Sequence, residues 1–225
     1  IDQLARQLIR YSTAVRKGDR VMLALYDAPN SIALALIREV VKAGAVPVVK
    51  LHDPIVTREL MNHADPEGYA MLAKNNLDLM KEMDCYIAIR GSHNITETSD
   101  VPAAKMKLVA AKLRPVINHR VNHTRWCVLR WPTSAMAQQA SMSTEAFEDF
   151  YFRVCLLDYK SLLPAMNGLK KLMDKANKVH IKGPGTDLRF SLKGLKAIAC
   201  GGAHNIPDGE VFSAPVKDSV EGHVT

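Results

Sequence analysis

The apolar positions at the start of the chain follow a helical spacing and then give way to a short continuous apolar run. Ile1, Leu4 and Leu8 fall three or four residues apart, which predicts one apolar face of a helix. Gly18-Asp19 ends that helix. The run from Arg20 to Tyr26 is typical of a strand buried on both faces. The first 26 residues therefore predict a helix followed by a buried strand.

The same pair of patterns repeats as far as residue 129. Asn30-Ser31 can cap a second helix, which Gly44 ends. Helices are further predicted at 55–63, at 68–83 and in a stretch ending near Pro115, and strands at 46–51, 85–89 and 126–129. Strands separated by helices favour a mostly parallel sheet covered on both faces. We therefore predict an α/β fold whose mostly parallel sheet is flanked by helices.

The pattern changes near Asn177. Ser143 is suited to cap a helical region that runs to about residue 177 with a break near Pro164. Beyond it, 179–182 and 188–193 alternate between apolar and polar residues, which predicts antiparallel strands with one buried face. We predict an α/β N-terminal domain at 1–177, followed at 178–225 by the beginning of a β-rich second domain. The latter is short for a core of its own, so we expect it to be truncated.

Composition narrows the class of protein. Hydrophobic residues make up 48% and charged residues 24%, a globular balance that excludes a disordered chain. The net charge of +7 is scattered, and aromatic residues are only 6%, so we expect no nucleic-acid partner. No apolar run reaches the roughly 18 residues of a membrane helix. The cysteines form no C-x-x-C pair and are expected to be buried free thiols in a cytoplasmic protein: Cys85, Cys127, Cys155 and Cys200.

Candidate chemistry gathers near the end of the chain. Pro207 and Gly209 deliver Glu210 to the start of a short apolar strand, a good position for a metal ligand or a general base. The alternative is a solvated glutamate at a polar hairpin tip. Other possible ligands lie nearby in sequence: His204, Asp208, Asp218, Glu221 and His223.

Two further motifs are weaker candidates. His119 and His123 have a spacing that would suit zinc on a helix, but Arg120 and Arg125 beside them disfavour a cation. The stretch 115–125 is instead interpreted as a loop that enters a strand. Gly183-Pro184-Gly185 lacks the phosphate-loop pattern and predicts a plain turn between strands.

The segment around Glu210 resembles a family signature. The run from Asn205 to Pro215, N-I-P-D-G-E-V-F-S-A-P, is similar to the N-x-P-x-x-E-V-F-[ST]-A-P motif of the M29 metallo-aminopeptidases, the aminopeptidase T and aminopeptidase S group. Weaker matches follow the family's order at 180–188, 143–150, 42–47 and 11–21. The resemblance therefore spans essentially the whole chain and corresponds to the N-terminal portion of such an enzyme.

The resemblance implies an activity and a site. Members of this family remove N-terminal residues from peptides with two divalent metal ions, typically zinc or cobalt. Glu210 matches the first metal-ligand glutamate of the motif. The resemblance therefore implies that the β-rich part at 178–225 is the beginning of the metal-binding catalytic domain. The other ligands and the catalytic carboxylate are expected beyond residue 225, so we expect the isolated chain to bind metal weakly and to be inactive. The implied partners are peptide substrates and a second copy of the chain in a homodimer.

Two alternatives remain open at this stage. Some relatives that resemble these peptidases are mononuclear-iron dioxygenases that cleave dihydroxypyridine rings. The complete N-I-P-D-G-E-V-F block favours the peptidase. The α/β domain could also be a non-catalytic module that serves dimerisation or walls off a substrate chamber.

Overall fold

The computed structural model describes residues 1–225, and the chain divides into two compact units. The first unit holds residues 1–156 and 203–207, and the second holds residues 157–202 and 208–225. The domain boundary expected after residue 177 stays a prediction. The helix at Tyr159–Lys175, which precedes that boundary, belongs to the second unit together with the β-rich part.

The first unit is built on a five-stranded parallel sheet in the order β2-β1-β3-β4-β8. Its strands are β1 (Arg20–Tyr26), β2 (Val46–His52), β3 (Cys85–Arg90), β4 (Arg125–Arg130) and β8 (Asn205–Ile206). The central strands β1 and β3 are buried almost throughout, as their continuous apolar runs predict. The α/β class and the parallel sheet flanked by helices are thus confirmed.

Seven helices belong to this unit. They are α1 (Asp2–Gln7, continued by a π-helical turn at Leu8–Ser12), α2 (Asn30–Lys42), α3 (Pro54–Asn62), α4 (Pro66–Lys81), α5 (Ala103–His123), α6 (Ser134–Gln139) and α7 (Thr144–Cys155). Ser143 caps α7 as predicted, because its hydroxyl accepts a hydrogen bond from Ala146 N. Asn30 and Ser31 do not cap α2, whose N-cap position is Pro29 and has no side-chain cap.

The prediction of a loop at 115–125 is wrong. Helix α5 continues through Pro115 to His123. Proline removes one backbone hydrogen bond, which is why the sequence indicated an end there. Val116 packs against a buried cluster that includes Tyr86. Arg120 lies over the rings of Tyr86 and Trp126. These tertiary contacts stabilise the last turns despite the missing bond.

The second unit combines one helix with short antiparallel strands. Its elements are α8 (Tyr159–Lys175), β5 (Lys178–Gly183), β6 (Thr186–Ser191), β7 (Ile198–Cys200), β9 (Glu210–Phe212) and β10 (Glu221–His223). Strands β10, β6 and β5 form one sheet, and β7 pairs with β9. The turn predicted at Gly183-Pro184-Gly185 joins β5 to β6. The prediction of a helix break near Pro164 is wrong, because α8 begins at Tyr159 and continues through Pro164.

No helix in the structure combines the length and apolar character that crossing a membrane requires.

Candidate metal centre

Glu210 lies at the start of β9, directly opposite Cys200 of β7 in the antiparallel register. Residues directly opposite each other in such a pair present their side chains on the same face. Asp208 joins them from the turn before β9. The potential ligand atoms of Cys200, Asp208 and Glu210 all lie within 4.8 Å of one another. The structure therefore gathers two carboxylates and one thiol at the mouth of the β7–β9 pair.

The carboxylate of Asp208 holds the backbone of this turn. Its Oδ2 accepts a hydrogen bond from Gly202 N at 2.7 Å, and its Oδ1 accepts one from Gly209 N at 3.0 Å. Gly209 N also donates to Cys200 O at 3.0 Å. Both oxygens of Asp208 are thus already engaged with backbone donors. We assign Asp208 chiefly to shaping the turn that presents Glu210.

Tyr159 anchors the same turn from the start of α8. Its side chain is 1% exposed, and its hydroxyl accepts a hydrogen bond from Asp208 N at 3.2 Å. Gly202 has a φ of +78° and packs against the Tyr159 ring so closely that an added Cβ would lie 2.7 Å from a ring carbon. Glycine is required here by both the backbone angle and the space. A buried aromatic ring therefore fixes the position of the turn.

The charges around Cys200 favour its protonated form. Burial, together with the Asp208 and Glu210 carboxylates, raises the pKa of the Cys200 thiol. Glu210 is exposed, and no hydrogen bond or ion pair holds its carboxylate. Of the three side chains, Glu210 is therefore the donor that is free to bind a cation without breaking an existing contact.

The remaining side chains proposed from the sequence take other positions. His204 belongs to the first unit, where its ring stacks on Trp126 at 4.5 Å and its Nδ1 lies 3.3 Å from Trp126 O. Asp218 lies in a 3₁₀ turn at Lys217–Ser219. Glu221 and His223 lie on β10, which pairs with β6. Of the nearby candidates, only Asp208 clusters with Glu210.

Sequence reasoning did not single out Cys200 as a neighbour of Glu210. The two residues are ten positions apart, and the intervening chain includes the 203–207 segment of the first unit. The available signal was the short apolar pattern Ile198-Ala199, which can pair with Val211-Phe212 across a loop. It was too brief to establish the register.

His119 and His123 do share a helical face, contrary to the loop interpretation. Their rings stack at 4.6 Å on the last turns of α5. Arg120 between them lies against aromatic rings. No third ligand completes a metal-binding group with these two imidazoles.

A family model described as thermophilic metalloprotease (M29) matches residues 1–225. The chain therefore belongs to this family of divalent-metal peptidases. Its fold is similar to the solved structure of wild-type AmpT from Thermus thermophilus, with a TM-score of 0.78 and 22% sequence identity. That match covers 98% of this chain and 62% of the AmpT chain. No curated protein sequence matches the chain.

The donor set is compatible with the metal that family membership implies. Zinc accepts carboxylate oxygen and cysteine sulfur in proteins, usually with four ligands. Glu210 offers an exposed, unengaged carboxylate, and Cys200 becomes a ligand only on losing its proton. Because Asp208 already accepts two backbone hydrogen bonds, the cluster offers fewer free donors than one zinc ion normally has.

Proposed function

We propose that the protein acts as a metal-dependent aminopeptidase that removes N-terminal residues from peptides, with Glu210 as one ligand of a two-metal site. Membership of the M29 metalloprotease family supports the peptidase class. The particular reaction and the number of metal ions go beyond what family membership gives. They rest on the resemblance of the motif from Asn205 to Pro215 to that of the M29 aminopeptidases. The geometry around Glu210 supports only its role as a ligand.

One observation carries the proposal. The single carboxylate that matches the family's metal-ligand position is exposed, unpaired and held at the start of a strand by a turn that the buried Tyr159 anchors. An exposed glutamate at a solvated hairpin tip needs no such support. Here Tyr159, Gly202 and Asp208 fix the backbone that leads to Glu210. Such support is expected where a ligand must be positioned before the metal binds.

Glu210 would contribute negative charge and orientation at this site. Asp208 would keep the turn closed, and Cys200 would stay a neutral thiol beside the two carboxylates. The chemistry that divalent ions would supply there is polarisation of the scissile carbonyl and a lower pKa for a bound water molecule. Further ligands are needed, because one free carboxylate cannot hold two ions. We propose that these ligands come from outside the 225 residues and that zinc or cobalt fills the site.

Hydrolysis of leucine amide by the complete gene product tests this function. The enzyme is assayed with added zinc or cobalt beside Glu210→Gln, which keeps the size of the side chain and removes its charge. Glu221→Gln is the matched control, because Glu221 is another exposed glutamate on a short strand of the same unit. We expect metal-dependent release of leucine that falls at least about 100-fold in Glu210→Gln and stays unchanged in Glu221→Gln.

Other results would redirect the proposal. No leucine release from a folded, metal-loaded enzyme would contradict the aminopeptidase, and consumption of oxygen with a dihydroxypyridine would favour the dioxygenase. Equal activity of Glu210→Gln and the parent would remove Glu210 from the site. Three further statements stay predictions. Calorimetry and the leucine-amide assay test whether the 225-residue chain binds metal weakly and is inactive. Light scattering tests the homodimer, and cell fractionation tests the cytoplasmic location.

A further inference from the structure

A cavity of about 550 Å³ lies in the first unit, between one face of the parallel sheet and helices α3, α4 and α5. Its lining includes Tyr26 and Arg90, the last residues of β1 and β3. In the order β2-β1-β3, the chain leaves β1 towards β2 on one side and returns to β3 on the other. Ligands of open parallel sheets bind at the carboxyl ends of strands where the order reverses in this way.

Much of the cavity wall is apolar and open to solvent. Leu60 is 59%, Leu72 41% and Ile117 49% exposed, although all three line the same cavity. Met22 and Met80 form the deeper part of the wall and are buried. A volume of this size is within the range of small-molecule sites. The surface therefore suits the apolar body of a small ligand.

The charged groups of the lining are all cations. Lys50, Arg90 and Arg120 contribute to the wall, and no aspartate or glutamate does. His52 also lines the cavity, where burial lowers its pKa and favours the neutral imidazole. Lys50 Nζ has a neutral partner, Asn76 Oδ1, at 2.6 Å. Burial lowers the pKa of Lys50, as expected for a cation that lacks a compensating carboxylate.

Arg120 adds a buried donor that is not satisfied. Its guanidinium lies 5.1 Å from the ring centroids of both Tyr86 and Trp126, and its Nε is buried without a hydrogen-bond partner. Unsatisfied buried donors are rare, because each costs free energy when water is removed. A ligand oxygen in the cavity would give this cationic cluster the acceptor and the negative charge that the protein does not provide.

We propose that this cavity is a binding site for an organic carboxylate with an apolar body. The carboxylate would meet Lys50 and Arg120, and the body would pack on Leu60, Leu72 and Ile117. Arginine and lysine pair strongly with carboxylate oxygens, whereas an amine would find no acidic partner in this lining. The site is thus distinct from one built for a free amino group. It involves none of the residues around Glu210.

Calorimetric titration of the complete gene product with octanoate, octanamide and octylamine tests the proposal. The three probes share a similar apolar tail and carry an anionic, a neutral and a cationic head. We expect octanoate to bind at least about tenfold more tightly than octanamide, and octylamine to bind most weakly. Lys50→Met, which keeps the length of the side chain, should remove most of the preference for octanoate. Lys74→Met is the control, because Lys74 lies on α4 outside the lining and pairs with exposed Asp78.

Three results would overturn the proposal. The first is equal binding of octanoate and octanamide, or no binding of either. The second is a preference for octanoate that survives in folded Lys50→Met. The third is an equal loss in Lys74→Met, which would indicate a non-specific charge effect. The comparison of the three probes on the unchanged protein decides the matter even if Lys50→Met fails to fold.

Discussion

Arg125 Nη2 lies 2.5 Å from Asp19 Oδ2, so an ion pair joins the turn before β1 to the first residue of β4. The same carboxylate oxygen accepts a hydrogen bond from Arg16 N at 2.6 Å, and Cys85 Sγ lies 3.7 Å from it. Only 12% of the Asp19 side chain is exposed. One carboxylate thus ties together the amino-terminal ends of β1, β3 and β4.

Replacement of Asp19 by asparagine should destabilise the first unit by about 1–3 kcal/mol at neutral pH. Burial by itself would raise the pKa of Asp19, but the hydrogen bond from Arg16 and the interaction with Arg125 outweigh it and hold the pKa below its ordinary value. The stability from this ionised carboxylate is therefore fully present above the ordinary pKa of 3.8 and is lost as pH falls through the lower folded value. Urea unfolding of both proteins at several pH values measures this effect.

The matched control is Asp78→Asn, because Asp78 forms an exposed pair with Lys74. Its cost should stay within about 1 kcal/mol. If the two variants lose equal stability at neutral pH, the Asp19 pair contributes no more than a surface ion pair. A gap between the parent and Asp19→Asn that does not narrow as pH falls from neutrality to below the folded pKa of Asp19 would also contradict this account.

Gly202 and Gly194 distinguish two reasons why a position requires glycine: the backbone angle and the lack of space for a side chain. Their φ angles are +78° and +80°, but only Gly202 has a close neighbour, the ring of Tyr159. Gly194→Ala should cost about 1–2 kcal/mol from backbone conformation alone. Gly202→Ala should cost about 1–3 kcal/mol more, because the added Cβ collides with a buried ring. Urea unfolding of the two variants measures the difference, and equal losses would mean that the Tyr159 ring moves aside freely.

The sequence predicted the parallel sheet well because its strands are continuous apolar runs bounded by turn residues. The predicted run Arg20–Tyr26 is the observed β1 to the residue. Helix α5 was harder, because Pro115 is a local end signal whereas Val116 and Arg120 make their contacts only in the folded core. The end of α5 was predicted wrongly because these contacts join residues that are distant in sequence, and a local sequence pattern does not show them.

The candidate site could be predicted only in part, because some of its residues are recognisable from neighbouring sequence and others depend on strand pairing. Glu210 could be nominated from its own segment, because the turn formers and the motif lie beside it in sequence. Cys200 could not, because its position next to Glu210 depends on the register of two three-residue strands. Likewise Asn205-Ile206 forms strand β8 of the first unit, within the motif that leads to Glu210. A two-residue strand has no periodicity to detect.

The buried thiols should be unreactive in the folded protein. Burial raises the pKa of Cys85 and of Cys155 to about 12 each, and thiolate is the reactive form. Cys127 is also buried, whereas Cys200 is partly exposed, and none of the four forms a disulfide. We expect iodoacetamide at neutral pH to modify Cys200 first and the other three only in urea. Peptide mapping by mass spectrometry gives the order, and rapid labelling of Cys85 in the native protein would contradict it.

Removal of the side-chain charge should affect the stability of the metal-free protein at Asp208 but hardly at Glu210. Asp208→Asn puts an amide group opposite one of the backbone donors Gly202 N and Gly209 N, so it should destabilise the metal-free protein by about 1–3 kcal/mol. Glu210→Gln alters an exposed side chain without partners and should change stability by no more than about 0.5 kcal/mol. Thermal unfolding of the complete gene product, with and without zinc, compares the two variants.

Zinc should raise the unfolding temperature of the parent and of Asp208→Asn but not of Glu210→Gln, because only the last variant lacks the proposed ligand. This pattern would separate the residue that binds the metal from the residue that shapes the turn. If Glu210→Gln instead loses as much metal-free stability as Asp208→Asn, Glu210 has a structural role in the β7–β9 pair. If zinc stabilises Glu210→Gln as much as the parent, its carboxylate is not a ligand.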